Sequence, residues 1–203
     1  MTTSDQHGRA VLDFYRCAML PLALDAPDTG LDDDVDDPGS DLSPATSALR
    51  DLVLDERDVP SHPRVAAGDL EVVGGDVVRS APELARLTLN VAQVHHDARA
   101  AGGRRLVYGG HTIGLAAAQV ARALPGVVLF LAWESCDHLA PVHEGDTLRS
   151  TIAVESVEPW GERFDLVGLR SVVEGERGDQ HGSVATVLDW KLTVLLRTAR
   201  ADR

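Results

Sequence analysis

The clearest pattern of hydrophobic and polar positions lies in the last third of the sequence, where apolar residues alternate with polar ones. Alternation is typical of a β-strand with one buried face. It is strongest from Ser183 to Arg197, and it recurs from Asp146 to Glu158. The shared apolar positions are Val184, Leu188, Trp190, Leu192, Val194 and Leu196 in the first segment, and Leu148, Ile152 and Val154 in the second. Two further apolar runs, Val127–Trp133 and Phe164–Val173, complete a predicted antiparallel sheet.

Helical periodicity precedes these strands. The segment His111–Leu124 carries a stripe of apolar residues at a spacing of three or four, and Pro125-Gly126 ends it. That stripe consists of Ile113, Ala117, Val120 and Leu124. One long helix followed by antiparallel strands predicts an α+β fold, in which the sheet wraps the helix because each needs the apolar face of the other.

Shorter elements are predicted before the long helix. Segments Leu70–Val73 and Asp76–Val78 flank two glycines, as in a strand pair. A helix is expected to begin at Ser80, because Pro82 and Glu83 then fall at favourable positions of its first turn. We expect this helix to bury three side chains, namely Leu84, Leu87 and Val91.

The N-terminal part differs in composition. Between Asp25 and Asp41 there are eight Asp and no Lys or Arg, and the Gly and Glu of a calcium-binding loop are missing. We therefore expect a solvated acidic loop there, flanked by helices at Ala10–Leu24 and Pro44–Leu54. The predicted division is an acidic extension over residues 1–64 and one domain over residues 65–203.

Charge and cysteine content restrict the partners. A net charge of −13 argues against binding to nucleic acid or to an anionic membrane. Cys17 and Cys136 are the only cysteines and form no CxxC motif, so a reducing compartment is the simplest interpretation. No signal peptide and no run of 18 apolar residues is present, and we expect a soluble, cytoplasmic protein.

Polar residues are densest just before the long helix. Gly109 and Gly110 lie at its start, where backbone N–H groups are unpaired and a substrate carbonyl can approach closely. Such an arrangement forms an oxyanion hole for a thioester. A simple tight turn would use the same glycines, so both explanations stay open.

The second cluster is His95-His96-Asp97. A loop histidine is suited to acid–base catalysis near neutral pH, while surface histidines without a function are the alternative. The three side chains are too close in sequence for a standard zinc site, and no cysteine is nearby, so neither a metal nor another cofactor is predicted.

Three motifs in this order resemble MaoC-like acyl-CoA dehydratases, most closely the mesaconyl-CoA hydratase branch. They are Asn90-x-Ala-x-Val-His95, the run from Arg105 to Ala116, and the run from His138 to Thr147. The resemblance covers roughly Leu70 to Arg197. It implies a hot-dog fold, an acyl-CoA substrate, and reversible addition of water across an α,β double bond.

The resemblance also implies that two hot-dog units pack side by side around the substrate. The branch usually carries both units in one chain, whereas 203 residues accommodate one unit plus an extension. A homodimer or a heterodimer with a partner subunit is therefore expected.

One position departs from the family pattern. The hydratases carry an acidic residue and a histidine that together activate water, and here Asn90 stands in the Asp position. An amide orients water but is no base. Three explanations stay open: His95 is the sole acid/base with Asn90 positioning water, Asp97 serves as the second group, or the unit binds acyl-CoA without catalysis. The first is favoured, with Gly110 and Gly109 polarising the thioester.

The remaining candidate residues are assigned to substrate binding. Arg104 and Arg105 suit CoA phosphates or a substrate carboxylate, with surface arginine as the alternative. His111 is expected either to contact the acyl carboxylate or to cap the helix, and Tyr108 and Asp97 are assigned as further substrate contacts. A lyase is the leading prediction; a non-catalytic acyl-CoA-binding or partner subunit is the alternative, and a thioesterase that uses Asp97 comes third.

Overall fold

The computed structural model describes residues 1–15, 30, 43–49, 59–71, 75–178 and 182–199. Apart from Gly30, the predicted acidic loop lies outside the described residues, as does most of the predicted helix Ala10–Leu24. The start of that helix is wrong, because Ala10–Asp13 (β2) pairs antiparallel with Thr2–Ser4 (β1). The backbone bond from the Met1 amino group to the Phe14 carbonyl closes this hairpin. Helix α1, Ser43–Leu49, confirms the first part of the second predicted helix.

The main body combines a long helix with a six-stranded antiparallel sheet. The strands are β3 (Gly68–Glu71), β4 (Asp76–Val77), β5 (Val127–His138), β6 (Thr147–Trp160), β7 (Phe164–Glu176) and β8 (Val184–Arg197). Their order is β3-β6-β7-β8-β5, and β4 also pairs with β6. Helix α3, Gly109–Ala123, directly precedes β5 in the chain and packs on β6 and β7. The predicted α+β arrangement is confirmed.

The long strands follow the predicted alternation. Leu148 and Ile152 on β6 are fully buried, as is Leu188 on β8. Val184 is an exception, because it is exposed at the first residue of β8, beyond the reach of the core. The core cluster joins these strand residues to Val120 and Leu124 at the end of α3, so the helix lies on the apolar face of the sheet.

Two local predictions are wrong. Strands β3 and β4 do not pair with each other; each pairs with β6, which offers both of them a longer partner. Helix α2, Ala81–Leu87, begins where predicted, yet it buries its small residues, namely Ala81, Pro82 and Ala85, and it leaves Leu87 exposed. Ser80 occupies the N-cap position in a left-handed conformation, and its side chain makes no capping bond.

Candidate active site

The start of α3 is where the sequence motifs converge. Tyr108 occupies the N-cap position, and its side chain makes no capping hydrogen bond to the helix. The Tyr108 hydroxyl lies directly over Gly110, where a Cβ atom would overlap it. A Cβ atom on Gly109 would lie 2.7 Å from Nε2 of His138. Both glycines are therefore needed for the close approach of a polar ring to the helix backbone.

His95 lies at the end of a short 3-10 helix, Gln93–His95, and its ring orientation is fixed. Its Nδ1 is 2.8 Å from the Leu106 carbonyl oxygen. A carbonyl only accepts, so Nδ1 carries the hydrogen and Nε2 of the neutral ring is left with its lone pair. The Tyr108 ring meets the imidazole edge-on, with the two centroids 6.2 Å apart. In the neutral ring, this tautomer presents Nε2 as a proton acceptor, as a general base requires.

The neighbouring His96 has a structural task. Its Nε2 donates to the backbone carbonyl of Asn90 at 2.7 Å, which fixes the loop between α2 and the 3-10 helix. The side-chain oxygen of Asn90 accepts the Ala92 N–H at 3.1 Å. The amide NH₂ of Asn90 then remains as the donor, which can hold the oxygen of a water molecule. Each of the two adjacent histidines thus donates one ring N–H to a backbone carbonyl, His95 through Nδ1 and His96 through Nε2, and it is Nε2 that His95 keeps as an acceptor.

Asp97 is exposed, and its Oδ1 accepts the Arg99 N–H at 2.9 Å in a turn. The structure shows a local use for this carboxylate. Its predicted roles as a second catalytic group and as a substrate contact stay predictions.

Arg104 and Arg105 both meet carboxylates from the loop after β5. Nη2 of Arg104 donates to Asp146 at 2.7 Å, and Nε of Arg105 donates to Glu144 at 2.7 Å. Asp146 is buried and also accepts the backbone N–H of His143 at 2.9 Å. Any phosphate bound by these arginines would share them with their carboxylates, and their role in CoA binding stays a prediction.

His111 follows the two glycines in the first turn of α3. Its Nδ1 is buried and has no hydrogen-bond partner among the described residues. Burial lowers the pKa of His111, and the charge of Glu144 acts in the opposite direction. A neutral imidazole with an unused buried nitrogen is therefore present at the helix start.

From the sequence, His138 was only the first residue of the third motif and had no predicted role. It is the last residue of β5, and this strand carries it to the start of α3. Burial lowers the pKa of His138, whereas Asp137 raises it to a lesser extent. The signal in the sequence was weak, because 28 residues separate His138 from Gly109 and only the sheet brings them together.

Within the described parts of the chain, no group of three or more His, Cys, Asp or Glu residues could hold a metal ion. No helix there is long and apolar enough to cross a membrane.

No protein-family model matches the sequence. A stretch of 66 residues is 41% identical to mesaconyl-CoA hydratase of Cereibacter sphaeroides, and it covers 32% of this chain and 19% of that protein. Among solved structures, a conserved hypothetical protein of Mycobacterium tuberculosis with a double hot-dog fold is 43% identical. The alignment covers 96% of this chain and 60% of the Mycobacterium tuberculosis chain, with a TM-score of 0.74.

Two structures of lower sequence identity have the same fold. A Chloroflexus aurantiacus protein described as a MaoC domain dehydratase is 25% identical over 67% of this chain and 44% of its own, with a TM-score of 0.58. An R-hydratase of Pseudomonas aeruginosa, 20% identical with a TM-score of 0.52, shares the fold; the match covers 68% of this chain and 85% of that one. The chain spans less than two thirds of the mesaconyl-CoA hydratase and of the first two structures. These similarities show that the chain has the predicted hot-dog fold, and they support its resemblance to the MaoC-like dehydratases.

Proposed function

We propose that this chain is a hydratase/dehydratase, which adds water to or removes it from the α,β bond of an acyl-CoA thioester. The observation that carries the proposal is the tautomer of His95, whose Nδ1–H is held by the Leu106 carbonyl so that Nε2 is a base. Its position beside the uncapped start of α3 supplies the second requirement, a place for an oxyanion. The similarity to mesaconyl-CoA hydratase and to a MaoC domain dehydratase supports the reaction class.

In the proposed hydration, Nε2 of His95 takes a proton from water while the water oxygen bonds to the β-carbon of the enoyl thioester. Electrons of the α,β bond move onto the thioester oxygen, where the N–H groups of Gly109 and Gly110 stabilise the charge. The protonated His95 then returns a proton to the α-carbon, so one water molecule is added in total. Asn90 has no carboxylate, and we assign it the task of holding the water through its NH₂ group.

We further propose a short, branched or dicarboxylic acyl group, such as the mesaconyl group. The Arg104 and Arg105 guanidinium groups and the unpartnered Nδ1 of His111 are the candidate contacts for the CoA phosphates and a substrate carboxylate. A second hot-dog unit, from a homodimer or a partner subunit, completes the proposed assembly.

The test uses two substitutions of one residue. His95→Ala removes the base, and His95→Asn removes it while keeping an N–H donor for the Leu106 carbonyl. Both variants should lose about 10²–10⁴-fold in kcat for hydration of crotonyl-CoA or mesaconyl-CoA. His95→Asn should retain the circular dichroism spectrum of the wild type. Wild-type turnover in either variant would exclude His95 as the acid/base.

A non-catalytic acyl-CoA-binding subunit is the second candidate, favoured by one observation. The residue in the family's acidic position is an amide, and its side-chain oxygen is already used by the Ala92 N–H. This candidate predicts binding of CoA esters without turnover by the purified chain. The same assay, followed with a thiol reagent, would detect a thioesterase by release of free CoA.

A further inference from the structure

A histidine occupies an inner position at the end of strand β5. In the antiparallel pair with β8, Cys136 lies opposite Trp190. Two residues further along, His138 lies opposite Leu188. Residues directly opposite each other project from the same face of a sheet. Because Trp190 and Leu188 belong to the core that includes residues of α3, the strand brings the polar ring of His138 to the helix side of the sheet.

The ring of His138 lies against the first residue of α3. A Cβ atom on Gly109 would lie 2.7 Å from Nε2 of this ring, 3.1 Å from Cε1 and 3.4 Å from Cδ2, so Nε2 is the ring atom nearest to that position. The next residue, Leu139, donates its N–H to the Val187 carbonyl at 3.0 Å, which holds the end of β5 beside β8. The sheet therefore fixes Nε2 beside the first turn of the helix, where backbone N–H groups lack intrahelical partners.

His138 also has the capacity to donate a hydrogen bond. Among the described residues, no hydrogen bond involves either of its ring nitrogens, and the residue is exposed to solvent. The neutral ring is therefore free to carry its hydrogen on Nε2. The partial positive charge at the start of α3 disfavours an imidazolium there, in agreement with the pKa of His138, which partial burial lowers. A neutral donor at Nε2 is thus the form that suits this position.

We propose that the Nε2–H of His138 is a third donor to the thioester oxygen, beside the N–H groups of Gly109 and Gly110. This inference rests on the proposed function, because it adds a catalytic residue to the same site. When water adds to the β-carbon, negative charge collects on the thioester oxygen, and the hydrogen bond from Nε2 becomes stronger. The proton stays on Nε2, and the α-carbon takes its proton from His95. One histidine therefore moves protons, and the other stabilises charge.

The first experiment measures hydration of crotonyl-CoA by variants of β5. His138→Phe keeps an aromatic ring but has no N–H, and we expect its kcat to fall about 10²–10³-fold with little change in KM. His138→Gln keeps an N–H donor near the place of Nε2, and its kcat should stay within about tenfold of the wild type. The matched control is Asp137→Asn, which changes the preceding residue on the opposite face of the strand and should keep the kcat of the wild type.

Two other outcomes would contradict the proposal. An unchanged kcat of His138→Phe would mean that only the shape of the ring matters. Equal losses in His138→Phe and His138→Gln would mean that His138 transfers a proton, as a second acid/base in place of a carboxylate at Asn90. His138→Ala adds no bulk beside Gly109, and it should show the same loss as His138→Phe even if the phenylalanine ring disturbs the fold.

A second measurement does not depend on turnover. Butyryl-CoA has no double bond to hydrate, and a heavy carbon isotope at its carbonyl identifies the carbonyl stretching band in infrared difference spectra. A hydrogen bond to the oxygen polarises the carbonyl and lowers this frequency. Bound butyryl-CoA should therefore absorb at a lower frequency in the wild type and in His138→Gln than in His138→Phe. Equal frequencies in the three proteins, or no binding of butyryl-CoA by the wild type, would overturn the inference.

The two measurements together distinguish this inference from the proposed function. Normal hydration by the wild type and by every His138 variant would overturn the inference and leave the hydratase proposal intact. A carbonyl frequency that depends on His138, without hydration by the wild type, would support the inference and contradict the proposed function.

Discussion

The polar groups at the two ends of helix α3 differ in whether they have hydrogen-bond partners. Toward the C-terminal end, Gln119 is fully buried and each side-chain group has a partner. Its Nε2 donates to Asp76 at 2.8 Å and to the Leu148 carbonyl at 2.9 Å, and Ser150 donates to its Oε1. Arg122 adds an ion pair to Asp76. This satisfied network joins the helix to β4 and β6.

The N-terminal end lacks such completion. The N-cap residue Tyr108 makes no capping bond through its side chain, Nδ1 of His111 has no partner among the described residues, and Nε2 of His95 keeps its lone pair. Polar groups that are buried and paired hold a fold together, whereas unpaired groups are a reserve for binding or chemistry. The contrast assigns the far end of α3 to stability and its start to the proposed reaction. Substitutions at the start of α3 should therefore lower the enzymatic activity, whereas substitutions at its far end should lower the free energy of unfolding.

The largest expected effect is on activity, at the start of the helix. In Gly110→Ala the new Cβ overlaps the Tyr108 hydroxyl, so the ring must move and the approach of a thioester to the backbone is obstructed. We expect kcat/KM for enoyl-CoA hydration to fall about a hundredfold. The unfolding temperature should not fall, because a tyrosine side chain can swing away and alanine favours the helix.

Gly114→Ala is the matched control in the same helix. A Cβ there has open space around it, so this variant should gain about 0.5–1 kcal/mol in the free energy of unfolding and keep its activity. Equal activities of Gly110→Ala and Gly114→Ala would show that Gly110 matters no more for activity than Gly114.

The next effect is on stability, at the other end of the helix. Gln119→Leu keeps a similar volume but leaves Ser150 and the Leu148 carbonyl without their buried partner. The free energy of unfolding, from urea titration, should fall by about 2–3 kcal/mol. The kcat of the folded fraction should stay near that of the wild type. A large loss of kcat without loss of stability would contradict the division between the two ends.

The smallest expected effect is on the pH dependence of stability, through His111. Burial lowers the pKa of His111, so below the ordinary histidine value of about 6.5 the unfolded chain binds a proton more readily than the folded one. The stability associated with this group is therefore complete above that pH and is lost as the pH falls. The urea midpoint of His111→Asn should drop less than that of the wild type between neutral and mildly acidic pH. His7→Asn, on the exposed hairpin turn, should follow the wild type.

The fold was predictable where the pattern is long and its period unambiguous. Strands β6 and β8 contain 14 residues each, and their buried faces follow the alternation in the sequence. The pairing of β3 and β4 was not predictable in the same way, because the short segments compete for partners and β6 lies far along the chain. The burial of helix α2 was predicted wrongly because the face that it buries carries small residues, namely Ala81, Pro82 and Ala85, and not its leucines.

The site was predictable only where its residues are close in sequence. Asn90, His95 and the two glycines lie within 21 residues, and the structure describes all of them around one loop and one helix start. His138 was missed because its proximity to Gly109 depends on the order of strands in the sheet. The different hydrogen bonds of His95 and His96 also required coordinates, because Nδ1 of His95 and Nε2 of His96 donate to different backbone carbonyls.

The position of β5 in the sheet has a consequence for how the chain is made. Its neighbour in the described sheet is β8, the last strand, so β5 has no sheet partner until residues 184–197 have left the ribosome. The contact between His138 and Gly109 is therefore completed only after β8 has been made, although both residues precede β8 in the sequence. A nascent chain that stops before β8 should contain the helix and β6–β7 but not the assembled helix start.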